Sequence, residues 1–112
     1  MIIEAVIIEY LEKELGVETY AEIPDEKPKK FIVVEKIDGG RINQIDASTL
    51  SVYSYGETLY DAVLLNEKVK SALLNVIVLD DISSSKIGGE SRSIDKANKE
   101  YRYETIINLT HY

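Results

Sequence analysis

Two stretches of helical periodicity, separated by runs of β-branched residues, constrain the fold of this chain more than any other feature. Between residues 2 and 15, apolar side chains recur every three or four positions, with charged side chains between them. A second stripe of the same period runs from residue 59 to about 75. The sequence therefore predicts two amphipathic helices. The first should end at Gly16, because glycine suits a left-handed helix cap.

Strands are predicted where β-branched and aromatic residues cluster between turn signals. The predicted strands are 17–23, 31–37, 47–55, 76–79 and 101–110. The turn signal at 38–41 joins the second and third strands into a hairpin. The element order is αβββαββ, and two helices packed against a mainly antiparallel sheet predict a single-domain α+β sandwich.

The polar region at about 83–100 is predicted to be a long loop. It is rich in serine, glycine and charged residues and is too long for an ordinary turn. Connections of this length are often functional. We expect this segment to form an arm that becomes ordered on assembly with a neighbouring subunit.

Composition narrows the classes of function. The chain has 112 residues, 45% of them hydrophobic, which suffices for one domain with its own core. The absence of cysteine excludes disulfides and thiolate chemistry. A net charge of −7 disfavours binding to nucleic acid through phosphate contacts. Acidic residues interrupt the first apolar run, so neither a signal peptide nor a membrane span is predicted, and the chain is expected to be cytoplasmic.

Candidate catalytic residues are few. The glycine pairs lack the spacing of a phosphate-binding loop. Asp80 and Asp81 are neighbours at a predicted strand end, so their carboxylates should project to opposite faces and stay solvated. His111 is the single histidine, and its place near the end of the chain predicts an exposed side chain. No catalytic residue, metal site or cofactor is therefore predicted.

Eight tyrosines beside one phenylalanine and no tryptophan are unusual, and tyrosine suits half-buried and interfacial positions. Tyr53 and Tyr55 share one face of a predicted strand, where they either pack under a helix or form a subunit interface. The basic residues of the predicted loop form solvated surface or contact a neighbouring subunit. The candidate interface residues are Tyr53, Tyr55, Lys86, Arg92, Lys96 and Lys99.

Several segments together resemble one family. They are the N-terminal helix, the segments 17–24 and 28–40, Asp46 with the strand ending at 52–56, the helix with Ala62, Leu64 and Leu65, the polar region with Asp95, and the closing 101–103. In this order they resemble the small tail terminator, head-tail joining or tail completion proteins of long-tailed bacteriophages and prophages.

The resemblance implies an α+β subunit that assembles into a ring, usually a hexamer, on the head-proximal end of the tail tube. It implies partners in the tail tube protein and the head-tail connector, a place in the virion after synthesis in the host cytoplasm, and neither enzyme activity nor a cofactor. Because the genome must pass through such a ring, we expect carboxylates to line the channel. The candidates are Asp25, Glu26, Asp38, Glu90 and Asp95.

A small oligomeric ligand-binding module is the alternative function for this chain, since fold does not fix function. A small hydrolase ranks last.

Overall fold

The sequence folds into two helices and five strands. The computed structural model describes residues 2–42, 45–95 and 100–112. The elements are α1 Ile3–Leu15, β1 Thr19–Tyr20, β2 Phe31–Ile42, β3 Ile45–Gly56, α2 Leu59–Leu74, β4 Ile82–Asp95 and β5 Glu100–His111, with a turn of 3-10 helix at Val76–Val78. The α+β class is confirmed. The elements follow the predicted order αβββαββ, but the fourth strand is β4 and not the segment predicted at 76–79.

Capping hydrogen bonds mark the end of α1 and the start of α2. Gly16 has a φ of 65°, a left-handed conformation that glycine adopts without strain, and its N–H donates to the Glu12 carbonyl at 2.9 Å. At the start of α2, Thr58 accepts a hydrogen bond from the Asp61 N–H at 3.1 Å. The predicted first helix and its glycine cap are therefore confirmed.

The sheet has the strand order β1-β2-β3-β5-β4. Every neighbouring pair is antiparallel except β1 with β2, which is parallel. Two hairpins thus lie side by side, with β3 and β5 in contact at the centre. Because β3 pairs Asp46 with His111 and Gly56 with Tyr101, the hairpin ends at 42–45 and 95–100 lie at opposite ends of the sheet.

One face of the sheet packs against both helices and forms the main core. Leu50 and Val52 of β3 lie on this face, as the alternation in the sequence predicts. The Tyr10 hydroxyl joins α1 to α2 by donating to the Ala72 carbonyl at 2.7 Å. Completely buried members of this core are Ile7, Leu11, Ile32, Leu50, Val52, Val69, Leu73, Val76 and Ile107.

The region at 76–95 differs from the prediction. Residues 76–78 form a 3-10 helix rather than a strand, and only Val76 of that helix is buried. The long loop predicted at about 83–100 is wrong over 83–95, where the chain is strand β4. Polar residues are tolerated there because β4 is an edge strand whose hydrogen bonds come from β5. Residues 96–99 lie outside the described residues.

Two predicted boundaries are also wrong. The strand predicted at 17–23 is reduced to Thr19–Tyr20, because β1 pairs only with Ile32 and Val33. The turn signal at 38–41 does not end β2, which continues to Ile42. A register shift between Lys36 and Asp38 leaves Ile37 as a bulge, and residues 38–41 then continue the ladder with β3. The predicted hairpin between β2 and β3 is confirmed, and its two strands stay paired as far as Ile42 and Ile45.

Candidate functional site

An aromatic cluster lies on the sheet face opposite to the helices. The Phe31 and Tyr55 rings stack with centroids 4.4 Å apart and planes 7° from parallel. Tyr20 meets Phe31 edge-on at 6.2 Å. Both stacked rings are 3% exposed. Residues 27–29 lie next to them, and Lys27 forms an ion pair with Glu100 of β5 at 3.5 Å. The cluster is a second, smaller core.

Tyr53 lies half-buried next to this cluster. The Arg102 guanidinium carbon lies 4.8 Å from the centroid of the Tyr53 ring, and Arg102 Nη1 donates to the Tyr55 hydroxyl at 3.4 Å. Tyr53 and Tyr55 pack with Phe31 and Val33 on the sheet face opposite to the helices. The prediction that these tyrosines pack under a helix is therefore wrong. Tyr55 is already covered within the chain, and the interface prediction therefore depends on Tyr53.

Glu104 forms the polar centre of the same face. Its carboxylate accepts hydrogen bonds from Ser51 Oγ at 2.7 Å and from Ser91 Oγ at 3.0 Å, and so links β3, β5 and β4. Partial burial raises the pKa of Glu104, but these hydrogen bonds and the nearby Arg102 outweigh the burial and hold the pKa below its usual value. Glu104 therefore remains ionised at neutral pH.

Lys86 is the one basic interface candidate whose side chain is described, and it lies apart from the tyrosines. Lys86 is exposed on β4 opposite Asn108, with the width of β5 between it and β3. Arg92 lies in β4 opposite Tyr103, and its side chain is outside what the structure describes. Lys96 and Lys99 lie outside the described residues. Among the candidates with described side chains, Tyr53 and Tyr55 lie on β3 and Lys86 lies on β4, so these three do not form one patch.

The two borders of the sheet are the most prominent feature that sequence reasoning missed. On one side, the 14 residues of β4 pair only with β5 among the described strands. On the other side of the sheet, β1 pairs only with Ile32 and Val33, so the outer side of β2, away from β3, has no described strand beside it from Val34 to Ile42. Such unpaired N–H and C=O groups are a template for another strand. The sequence carries little signal for β4, because the polar region at about 83–100 lacks a run of β-branched residues.

His111 is buried, and the predicted exposure is wrong. Its side chain is 3% exposed, and its Nε2 lies 2.8 Å from Ser48 Oγ. The end of the chain does not fray there, because β5 lies between β3 and β4 up to this residue. Asp80 and Asp81 are exposed, as predicted, but in a turn before β4. The Ser48 hydroxyl and the His111 imidazole are therefore in contact, but no carboxylate of the described residues is hydrogen-bonded to the imidazole as in a catalytic triad.

The described residues give little indication of a metal site or a membrane-spanning helix. Within residues 2–42, 45–95 and 100–112, no cluster of three or more histidine, aspartate or glutamate side chains could hold a metal ion. The helices of this part of the chain are too short or too polar to span a membrane. The clefts on the surface are shallow and are divided among hairpin ends and helix ends. The sheet borders and the open face therefore remain the best candidates for function.

The sequence matches no protein-family model, and no curated protein matches it either.

Proposed function

We propose that this protein is a structural subunit of a bacteriophage or prophage tail, which assembles head to tail into a ring, caps the tail tube and joins it to the head connector. Two unpaired sheet borders on opposite sides of one sheet carry this proposal. The resemblance of the sequence to tail completion proteins is the reason for placing this subunit in a phage tail. A ring needs two different surfaces that fit each other, and the two borders provide them.

Strand direction supports the head-to-tail arrangement. Because β2–β3, β3–β5 and β5–β4 are all antiparallel pairs, β2 and β4 run in opposite directions. A second copy in the same orientation therefore offers its β2 to β4 of the first copy as an antiparallel partner. Residues 34–42 and 82–95 would form this contact, and rotation between copies would close the ring.

The helices would face outwards and the open sheet face would line the channel. Glu35 and Asp38 are exposed on β2, and Asp38 pairs with Thr49 on the open face. Asp25 and Glu26 are exposed in the segment beside the aromatic cluster. Glu90 leaves the set of channel candidates, because its carboxylate lies on the helix face and binds Lys70 at 3.1 Å. Asp95 is in β4, and its side chain is outside the described residues.

Hydrogen exchange tests the ring and its contact together. The purified protein is examined by negative-stain electron microscopy, alone and with tail tubes, and backbone exchange is compared before and after assembly. We expect rings on tube ends and slower exchange in β4 and in residues 34–42. The central strands β3 and β5 are the internal control, because their hydrogen bonds are already complete in the single chain.

Two results would contradict the proposal. Rings without added protection at either border would show that another surface forms the contact. A stable dimer that leaves tail tubes uncapped and gains thermal stability from a small metabolite would favour the ligand-binding alternative.

A further inference from the structure

One cross-strand row on the open sheet face ends in an acid at one border of the sheet and in a base at the other. Asp38 of β2 pairs with Thr49 of β3. Thr49 pairs with Asn108 of β5, and Asn108 pairs with Lys86 of β4. In the middle of the row, Thr49 Oγ1 donates to Asn108 Oδ1 at 2.8 Å. All four residues line the same shallow cleft, so the row crosses the whole open face.

The two charged ends of this row do not meet within one chain. Three strand spacings, about 14 Å, separate Asp38 from Lys86. Both side chains are exposed, and neither belongs to an ion pair within the described part of the chain. The Asp38 carboxylate accepts the N–H of its neighbour Gly39 at 2.8 Å. The border of β2 therefore presents a negative charge to an incoming strand, and the border of β4 presents a positive one.

The two borders also match in the spacing of their residues. Seven such rows, counting this one, cross β2, β3, β5 and β4 without interruption. They use residues 34–41 of β2 without Ile37, and residues 82–90 of β4 without Ser83 and Gly88. A second copy can therefore align its β2 with β4 row by row. Side chains of one row share a sheet face, so this alignment continues both faces from copy to copy.

Other registers fit less well. A slip by one row sets helix-face side chains opposite open-face side chains. A slip by two rows that brings Lys86 opposite Glu35 shortens the pairing, because Gly89 then meets Val33, whose outer side β1 covers. A slip by two rows in the other direction sets Lys86 opposite Gly40, where no acid faces it directly. The row-by-row alignment is therefore the one that opposes Lys86 to Asp38.

We propose that Lys86 of one copy pairs with Asp38 of the next copy and sets the register in which β4 and β2 join. This inference rests on the ring proposed above and names the contact that aligns its subunits. The partner at each border is a second copy of this chain, paired over residues 82–90 and 34–41. An exposed ion pair adds little affinity, but it favours one register over its alternatives.

Cysteine pairs test the register directly, because the chain has no cysteine of its own. Glu35→Cys with Gly89→Cys places thiols in one row and leaves Lys86 and Asp38 intact. Glu35→Cys with Ser91→Cys is the matched variant for a register slipped by two rows. Within one chain, either pair is too far apart for a disulfide.

Rings assembled on tail tubes and then mildly oxidised give the readout, on a denaturing gel without reducing agent. The row-matched variant should form a ladder of covalent multimers. Its yield should exceed that of the Ser91→Cys variant by about tenfold, since disulfides require closely opposed residues.

Charge reversal tests the ion pair itself. Lys86→Glu and Asp38→Lys should each weaken self-association by about fivefold in sedimentation velocity, since like charges then face each other. Lys68→Glu and Glu9→Lys make the same changes in net charge on exposed helix positions, and their effects should be much smaller. An equimolar mixture of the two reversed chains should recover association, because opposite charges then meet at every contact of an alternating ring.

Three results would overturn the inference. Rings that cap tail tubes but cross-link through Ser91, or fail to cross-link through Gly89, would show another register and leave the ring proposal standing. A mixture that associates no better than either reversed chain would show that Lys86 and Asp38 do not meet. A parent protein that forms no rings at all would overturn both proposals.

Discussion

At the scale of single residues, Glu104 illustrates how one ionised group organises a sheet face. Its two serine hydrogen bonds come from strands on either side, and Arg102 of the same strand lies over Tyr53. Replacing the carboxylate leaves two hydroxyls that must find new partners. The effect should be visible in how the free energy of unfolding changes with pH.

We therefore expect Glu104→Gln to change how stability responds to pH. The folded-state pKa of Glu104 is lowered, so its contribution is complete above the unfolded value of 4.5 and is lost as pH falls through the lower folded value. Glu104→Gln should lower the free energy of unfolding at pH 7 by about 1 kcal/mol, with a smaller loss at pH 3. Urea denaturation at both values measures this difference.

Glu9→Gln is the control for that experiment, because Glu9 is exposed on α1 far from the open face. Its stability should match the parent protein at both pH values. If Glu104→Gln lowers the free energy of unfolding by the same amount at pH 7 and at pH 3, the charge of Glu104 does not contribute to stability.

At the scale of elements, a buried polar link fixes β4 to the rest of the fold. Asn66 of α2 is 1% exposed and accepts from Thr105 Oγ1 of β5 at 2.6 Å. Its Nδ2 donates to Glu90 of β4 at 3.2 Å, and Glu90 is also bound by Lys70. This link specifies the position of an edge strand that has few apolar residues of its own.

Asn66→Ala should loosen β4 and destabilise the protein by about 2 kcal/mol, because the buried Thr105 hydroxyl loses its acceptor. Faster hydrogen exchange at 82–95 and a lower midpoint of urea denaturation are the expected readouts. The double variant Asn66→Leu with Thr105→Val should recover most of the loss, since both polar partners are then replaced. If the double variant is less stable than Asn66→Ala, the polar pair is not what the single variant breaks.

Local pattern was sufficient for the helices and for the two central strands. The stripes of α1 and α2 and the alternation of Leu50 and Val52 arise from burial on one face, which sequence periodicity records directly. Periodicity did not predict the edge strand β4. Its backbone hydrogen bonds with β5 form without much burial of its own side chains, so its sequence carries no clear apolar alternation. The burial of His111 was hidden for a similar reason, since it depends on strands distant in sequence.

At the scale of the whole molecule, the fold is an elongated rod of 47 × 24 × 23 Å with a net charge of −7. The long axis arises from two hairpins that extend towards opposite ends. Copies that meet at their sheet borders bring like net charges together. Repulsion between subunits should therefore oppose assembly when little salt is present.

We expect self-association to strengthen when NaCl is raised from about 20 to about 200 mM, because the screening length falls from roughly 20 to roughly 7 Å. Sedimentation velocity at constant protein concentration measures the change. A matched sucrose series serves as the control for altered solvent properties. Association that weakens with salt would instead indicate an interface held by ion pairs between subunits.

The strand order β1-β2-β3-β5-β4 also has a consequence for synthesis on the ribosome. The first hairpin is complete in sequence by Gly56, but the inner side of β3 is covered only by β5 at Glu100–His111. A growing chain therefore carries a bare strand through more than forty residues of translation, during which nascent chains on neighbouring ribosomes could pair with it. Chaperone contact with the β3 segment during translation would protect the chain over this interval.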